Sequence, residues 1–445
     1  MRVVTIDIPE LGNRCHLVHD GASALVVDPP RDLTAVERAA ETREVEIVAV
    51  ADTHVHNDYV SGGLALARRH AADYLLSADE PVAFDRVGVR DGDVVPVGRF
   101  EVEVVGTPGH TLHHQAFLAR HGRRQALFSG GSLLNGTVGR TDLVDPRLTH
   151  DLARAQWTSA RVLARLDPNT RLHPTHGFGS FCAGAPATAG HAPVTLAQQR
   201  ASNPVLLTER DVFVSDLVAG LGPVPAHYAR MAPLNRDGAG AVPPRPAWRA
   251  TAEQVQDAVL RGSWVVDLRD RTAYAEGHVP GTVSVQYSPQ FATYVGWLVP
   301  WEDDIVLLTD TPGVLEAAVR DLAAIGIEGV ATHVLDDRPL TATYRVSDWE
   351  GFRAAADRHR VVVDVRQRDE FESGHLPGAL HVPVQDIDVA GQELPPGEVW
   401  VHCRSGYRAG IAASILQRMG RSVVHLDDDW DRVGELEIPT TDLAA

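Results

Sequence analysis

The sequence contains no lysine: all 41 of its basic residues are arginine. That excludes Schiff-base chemistry on a lysine and a lysine P-loop. Cysteine is almost as scarce. Cys15, Cys182 and Cys403 stand far apart, with neither a disulfide framework nor the close pairs of a structural zinc site, which fits a reducing compartment. No stretch reaches the length of a membrane span, and the opening MRVVTIDIPELGNR has no apolar signal core, so a cytoplasmic location is expected. Positive charge is also in deficit. A formal net charge of −18 argues against nucleic acid or a membrane surface as partner. What remains is an ordinary soluble composition over 445 residues, long enough for roughly two to four domains.

In the first half, VVTIDI, ALVVDP, EIVAVADTH, VEVVGTPGH and RQALFSGG read as strands, several running into Gly- or His-rich loops. LTAVERAAETR and LARAQWTSARVLARL read as amphipathic helices between them. A Gly- and Pro-rich stretch follows, which predicts a first domain at 1–234 and a linker at 235–247. Beyond it the chain repeats itself. VVDLRDRTAYAEGHVPGTVSVQ, from Val265, parallels VVDVRQRDEFESGHLPGALHVP, from Val362. Each copy has a helix before it and a further strand and helix after it. This predicts two α/β domains with mainly parallel sheets, at 248–342 and 343–445.

In the second copy the strand EVWVH runs directly into Cys403, and a helix begins a few residues later. Backbone N–H groups and the helix dipole converge at such a junction, and Arg404 and Arg408 add positive charge. A thiolate is favoured there and can carry sulfur as a persulfide. The DVR…GHLPGA stretch and the Cys403-Arg404-Ser405-Gly406-Tyr407-Arg408 loop resemble the rhodanese family. The resemblance implies Cys403 as nucleophile, Arg404 and Arg408 as binders of an anionic sulfur donor, and Ser405, Gly406 and Tyr407 as the amide cradle. Cysteine-dependent phosphatases place the arginine one position further on, so the shorter loop favours sulfur over phosphate. The first copy has Asp310-Thr311-Pro312-Gly313 at the corresponding place and no cysteine. It is expected to act structurally, positioning the second copy or shaping a shared cleft.

The first domain carries four loop clusters, three of them with histidine: Thr53-His54-Val55-His56-Asn57-Asp58-Tyr59, Gly109-His110-Thr111, then Ser129-Gly130-Gly131-Ser132, and last His173-Pro174-Thr175-His176. Alternating histidines after a strand put two imidazoles on one side, ready for a metal. The order resembles the metallo-β-lactamase fold, an αββα sandwich. VGRTDL at 138–143 and HGFGSFC near Cys182 are most similar to the persulfide dioxygenases of that superfamily. That resemblance implies His54 and His110 as ligands of Fe(II), with zinc as the alternative. Two positions depart from the pattern: Gly131 stands where a carboxylate ligand is usual, and Tyr59 where a histidine is usual. His56, Asp58 and His176 are the substitutes at hand, and His113 and His114 add imidazole density. The tyrosine argues against a dinuclear hydrolase site. His16, His19, His70, His121, His150 and His191 carry no such pattern and are expected to be surface or structural residues. Cys182, beside the late histidine, reads as a packing residue, the alternative being that it lines the site and contacts a persulfide substrate.

The order of domains resembles the bacterial persulfide dioxygenase–sulfurtransferases of sulfide detoxification. The resemblance implies sulfur transfer through Cys403, coupled to metal-dependent oxidation of a low-molecular-weight persulfide to sulfite. It also implies a persulfide or thiosulfate as partner and a homo-oligomer. Fusion raises the effective concentration of a labile intermediate at the second site. The competing readings are a metal-dependent thioester hydrolase fused to a sulfur carrier, and a metal-free scaffold that presents substrate to Cys403.

Overall fold

The computed structural model describes residues 1–184, 194–335, 340–355 and 360–441; His191 lies outside them. Two compact units emerge, Met1–Pro244 with Ala323–Gly326, and Arg245–Leu322 with the chain from Ile327 onward.

The first unit is built on two six-stranded sheets. One runs Arg2–Ile8, Asn13–His19, Ser23–Val27, Glu46–Ala51, Asp73–Ser77, Val87–Val89 in spatial as in chain order. The other starts at Val94–Val97 and continues through Phe100–Gly106, Gln115–His121, Arg124–Gly130 and Arg171–Pro174 to Val194–Thr195. Their facing sides interdigitate: Val27, Ala51 and Leu75 of one meet Val104, Phe117 and Phe128 of the other in a single core. The outer face of the first sheet, Leu17, Val26 and Val50, packs on Val36 and Leu64 of the helices Thr34–Glu41 and Gly63–His70. The outer face of the second packs on Ala153, Ala160 and Phe213 of the helices Thr149–Leu163 and Arg210–Ala219. Helix, sheet, sheet, helix is the αββα sandwich. Glu46–Ala51 is apolar almost throughout because it is covered on both faces.

The stretch read as a linker differs from that expectation at its start. A helix spans Tyr228–Asp237 and stops where Gly238 takes φ 86°. Asn235 on its last turn is buried, and its amide donates to the backbone carbonyls of His56 and Tyr59 at 2.9 and 2.8 Å and accepts from Ser61 N–H at 2.9 Å. Asn235 therefore pins the histidine loop from the far end of the unit. Glycine and proline density misled here because hydrogen bonds to a distant loop outweigh weak local propensity.

The second unit holds two five-stranded, wholly parallel sheets that share one strand order. One runs Trp248–Arg249, Ala331–Val334, Ile305–Thr309, Trp264–Asp267, Val283–Ser284, and the other Arg345–Ser347, Val423–Leu426, Glu398–His402, Arg360–Asp364, Leu380–His381. The repeated letters have a shared physical job. Asp267 and Asp364, at equivalent strand ends, clamp Arg269 and Arg366 at 2.7 and 2.6 Å. Each arginine then donates to the carbonyl closing the next helix, Gly277 at 2.9 Å and Gly374 at 2.6 Å. Each Gly-His histidine bonds back to the carbonyl four residues earlier, His278 to Tyr274 and His375 to Phe371.

Candidate functional sites: a histidine cluster and a cysteine loop

In the first unit the strands Glu46–Ala51, Phe100–Gly106, Arg124–Gly130 and Arg171–Pro174 all release their chains towards one place. The loops that follow bring His54, His110 and His176 together, all fully buried. A ligand nitrogen of each lies within 4.8 Å of the other two. Every one of these rings is oriented from behind. His54 Nδ1–H donates to Thr53 Oγ1 at 2.9 Å, and that hydroxyl donates on to Asp28. His110 Nδ1–H donates to the Arg140 carbonyl at 2.7 Å. His176 Nδ1–H donates to Asn13 Oδ1 at 2.9 Å, with Asp58 Oδ2 at 3.3 Å. With each Nδ1 carrying the proton, all three Nε2 atoms present lone pairs. His54 Nε2 and His176 Nε2 face each other at 3.4 Å, which is about the edge of a tetrahedron with metal–nitrogen bonds near 2.05 Å. Two lone pairs at that separation repel unless a cation stands between them.

Three buried polar atoms of the cluster have no hydrogen-bond partner among the described residues: His110 Nε2, His56 Nδ1 and Asp58 Oδ1. Buried polar atoms are rarely left without a partner, and acceptor atoms gathered in one place suit a cation. Electrostatics agree. Burial, then the surrounding imidazoles, pushes His54 far below its ordinary range, and burial brings His110 to about 3, so both stay neutral as metal ligands must. Burial would raise the Asp58 carboxyl, but its contact with His176 and the Asn13 amide holds it below the usual carboxylate range. The residues present fit a divalent ion.

The expected neighbours divide. His56 sits beside the cluster with Nε2 3.2 Å from Asp28 Oδ1 and 3.0 Å from the Tyr59 hydroxyl. Asp58 groups with His56 and His176 rather than with His54 and His110. His114 is not spare imidazole. Its Nδ1–H donates to Thr107 Oγ1 at 2.7 Å and its Nε2 accepts from Gly131 N–H at 3.0 Å, which leaves it no lone pair for a metal. His113 is half-buried and lines a cavity of about 390 Å³ with Val55, Asn57, Thr111, Tyr228 and Arg236. Cys182 is buried, and burial pushes its thiol well up. His16 and His19 are buried, as structural residues would be; His16 donates to the Pro174 carbonyl at 3.1 Å.

Glycine at 131 has a steric reason. A Cβ there would stand 2.2 Å from His110 Cδ2, and one on Gly139 would stand 2.7 Å from His110 Nδ1. The ring is seated between two glycines, in space that a side chain at 131 would claim.

In the second unit Cys403 follows the strand Glu398–His402 and is 1% exposed. Gly406 takes φ 84° ahead of the helix Tyr407–Arg418, and a Cβ on it would collide with the Asp427 carboxylate. The first amides of that helix have no intrahelical acceptor and are free to hold an anion. Arg408 is half-buried beside the loop and held by Glu370 through a bidentate pair at 2.5 and 2.8 Å. Arg404 points outward, with 54% of its side chain exposed and Asp431 at 3.3 Å. The Tyr407 ring leaves the cradle: its hydroxyl donates to the Gln286 carbonyl at 2.8 Å and takes a bond from Ser288 at 3.1 Å. Arg271 reaches Asp427 at 2.7 Å, and Tyr294 lies 5.5 Å from the Tyr407 ring. Burial pushes the Tyr294 phenol up to about 12, with Arg408 opposing and Cys403 adding to the rise. Glu370, Asp427, Arg271 and Tyr294 were not legible in the sequence, since no local spacing links them to Cys403.

The Glu370–Arg408 pair has a pH signature. Burial alone would raise Glu370, but the bond to Arg408 holds it below the ordinary 4.5. A depressed folded-state value stabilises fully above that range and is lost as pH falls through it. Glu370→Ala is expected to melt lower than the parent at neutral pH, by about 2 kcal/mol, and the two melting curves should converge in acid. A gap that persists unchanged there would assign the loss to packing instead.

The rhodanese-like domain family matches residues 349–435. The hydroxyacylglutathione hydrolase of Cereibacter sphaeroides is 31% identical over 194 residues, 42% of this chain and 72% of that protein. The one from a Polaromonas species is 33% identical over 158 residues, 35% of this chain and 57% of its own length. The chain thus spans about three-fifths of the length of such curated relatives, 57% and 63% for two of them. A metallo-beta-lactamase structure from Staphylococcus aureus subsp. aureus COL superposes over 75% of this chain and 99% of that chain, with a TM-score of 0.68 at 24% identity, a likeness of fold. Among the described residues no helix is long and apolar enough to cross a membrane. The αββα sandwich, the histidine loops and these relatives agree: the chain belongs to the hydroxyacylglutathione hydrolase family, and it carries a rhodanese-like domain downstream.

Proposed function

We propose that the protein handles sulfane sulfur, transferring it through a persulfide on Cys403 and oxidising a low-molecular-weight persulfide at the histidine cluster. The observation that carries the first half is the buried Cys403 at a strand–helix junction beside Arg408. In the transfer step the Cys403 thiolate attacks the outer sulfur of a donor such as thiosulfate. A Cys403–S–S⁻ persulfide forms, the sulfur–sulfur bond of the donor breaks, and sulfite leaves with its electron pair. A thiol or cyanide then takes the outer sulfur and frees the thiolate. Amides at 405–407 hold the anion and Arg408 supplies positive charge; Arg404, exposed, meets the donor at the surface. The 248–342 segment is a cysteine-less counterpart whose Arg271, Gln286 and Ser288 brace the loop.

For the second half, a persulfide, O₂ and water give a thiol and sulfite. A divalent ion held among His54, His56, Asp58, His110 and His176 would supply Lewis acidity and, as iron, a seat for O₂. The chain itself supplies neutral imidazoles, a site closed to bulk water and a cavity beside it. In that cavity Arg236, held by Glu80 at 2.8 Å, offers charge to an anionic thiol carrier.

Thioester hydrolysis is the second reading, favoured by the name the 31%-identical relatives carry. Against it stands Tyr59, which the resemblance puts where a second-metal histidine is usual and whose phenol is turned towards His56 at 3.0 Å. Oxygen uptake by the iron-loaded protein given glutathione persulfide separates the two. Uptake with sulfite formation is expected; thioester cleavage without it would favour hydrolysis.

A further inference from the structure

We propose that His54, His110 and His176 alone hold a single divalent ion through their Nε2 atoms, a three-imidazole centre to which no carboxylate of the chain is bound. This rests on the metal-binding half of the reading above and not on its sulfur chemistry.

Three independent features of the side chains lead there. First, the three rings share one arrangement: Nδ1 spent on a partner behind, Thr53 Oγ1, the Arg140 carbonyl or Asn13 Oδ1, and Nε2 turned inward. That is how metal-bound histidines are fixed by the groups behind them. His110 Nε2, wholly buried, has no other partner among the described residues.

Second, no carboxylate stands among the three Nε2 atoms: Asp58, whose Oδ1 has no partner among the described residues, groups with His56 and His176 and not with His54 and His110. Position 131 has none, and the His110 ring fills the space where its Cβ would stand. Asp58 Oδ2 already takes Asn13 Nδ2 at 2.7 Å and Ser180 Oγ at 3.2 Å, and lies on the Nδ1 side of His176, behind the ring. Asp58 is therefore a positioning residue that orients His176. Asp28 is saturated by Thr53 N–H at 2.7 Å, Thr53 Oγ1 at 2.9 Å, Thr175 Oγ1 and His56.

Third, the neighbouring donor groups either borrow from this one or stand apart from it. One neighbouring group, His56, Asp58 and His176, shares His176 with the first; the other, Asp28, Asp52 and His56, shares none of its residues, and its His56 and Asp28 are already bonded to each other at 3.2 Å. The Tyr59 hydroxyl beside it is engaged with His56 and with the Asp28 carbonyl at 3.3 Å. Three neutral imidazoles suit zinc or ferrous iron, and they leave the full charge of the ion to be met by an exogenous anion.

The test reads metal binding without substrate. Full-length apoprotein is titrated with Zn(II), and anaerobically with Fe(II), and bound metal is measured after gel filtration. About one ion per chain is expected for the parent. His176→Ala should fall below about a tenth of that. Asp58→Asn should still bind about one ion, with affinity weakened no more than about 10- to 100-fold. Two ions per chain, full binding by His176→Ala, or complete loss in Asp58→Asn would each overturn the assignment. X-ray absorption of the zinc-loaded parent guards against a variant that fails to fold. Three imidazoles in the first shell are expected, and two imidazoles with a protein carboxylate would contradict it. Because no substrate is present, a protein without persulfide oxidation can still pass, and one with it can still fail.

Discussion

Cys403→Ser is expected to lower thiosulfate:cyanide sulfur transfer by at least about three orders of magnitude, with the melting temperature almost unchanged. A serine hydroxyl is close to isosteric with the thiol, and the residue is 1% exposed in a packed junction, so the fold has little to readjust. The chemistry has no such tolerance. Serine cannot carry a sulfane sulfur, and no other cysteine stands in: Cys15 and Cys182 are buried in the first unit with thiols pushed well up by burial. Metal content should not change, because every residue of the histidine cluster lies in the first unit. Retention of more than about a tenth of the transfer rate would remove Cys403 from the mechanism.

Gly131→Ala is expected to abolish stoichiometric metal binding and to destabilise the first unit by about 1–3 kcal/mol, the usual cost of overpacking. The added methyl would sit 2.2 Å from His110 Cδ2. The ring cannot retreat, because Gly139 closes the other side and Nδ1 is tied to the Arg140 carbonyl at 2.7 Å. Either the ring or the Gly130–Gly131 turn must shift, and both shifts take His110 Nε2 away from the other two nitrogens. Gly313→Ala, where an added Cβ meets nothing within 4 Å, is the matched control and should bind metal as the parent does. Elemental analysis and calorimetry read both effects. Normal metal content in Gly131→Ala would mean that the ring is not seated as described.

The strands that end in the histidine loops and the Cys403 junction were readable because both rest on local patterns. Each is an apolar run followed by a loop of reactive residues. What the letters could not show was which atoms are already spent. His114 reads as one more imidazole, but both its nitrogens are committed to Thr107 and Gly131. Gly131 reads only as a lost ligand, whereas the glycine makes room for His110. Asn13–His19 does not read as a strand from its letters, because a fully buried strand containing Asn, Arg and two His lacks the alternation that marks one. Asn235 fell in a segment whose composition suggested a linker, yet it holds the His56–Ser61 loop across more than 170 residues of chain. Arg271 and Glu370 reach the Cys403 loop from other strands and helices. Such contacts follow from the sheet order, and no window of sequence contains them.

The measurement that bears most directly on a metal-dependent enzyme is the metal content of anaerobically purified protein, for the parent and for His110→Ala. The account expects about one iron per chain in the parent and almost none in the variant. A parent that comes away free of metal, or a variant that keeps it, would contradict the account and leave the sulfurtransferase half to stand alone.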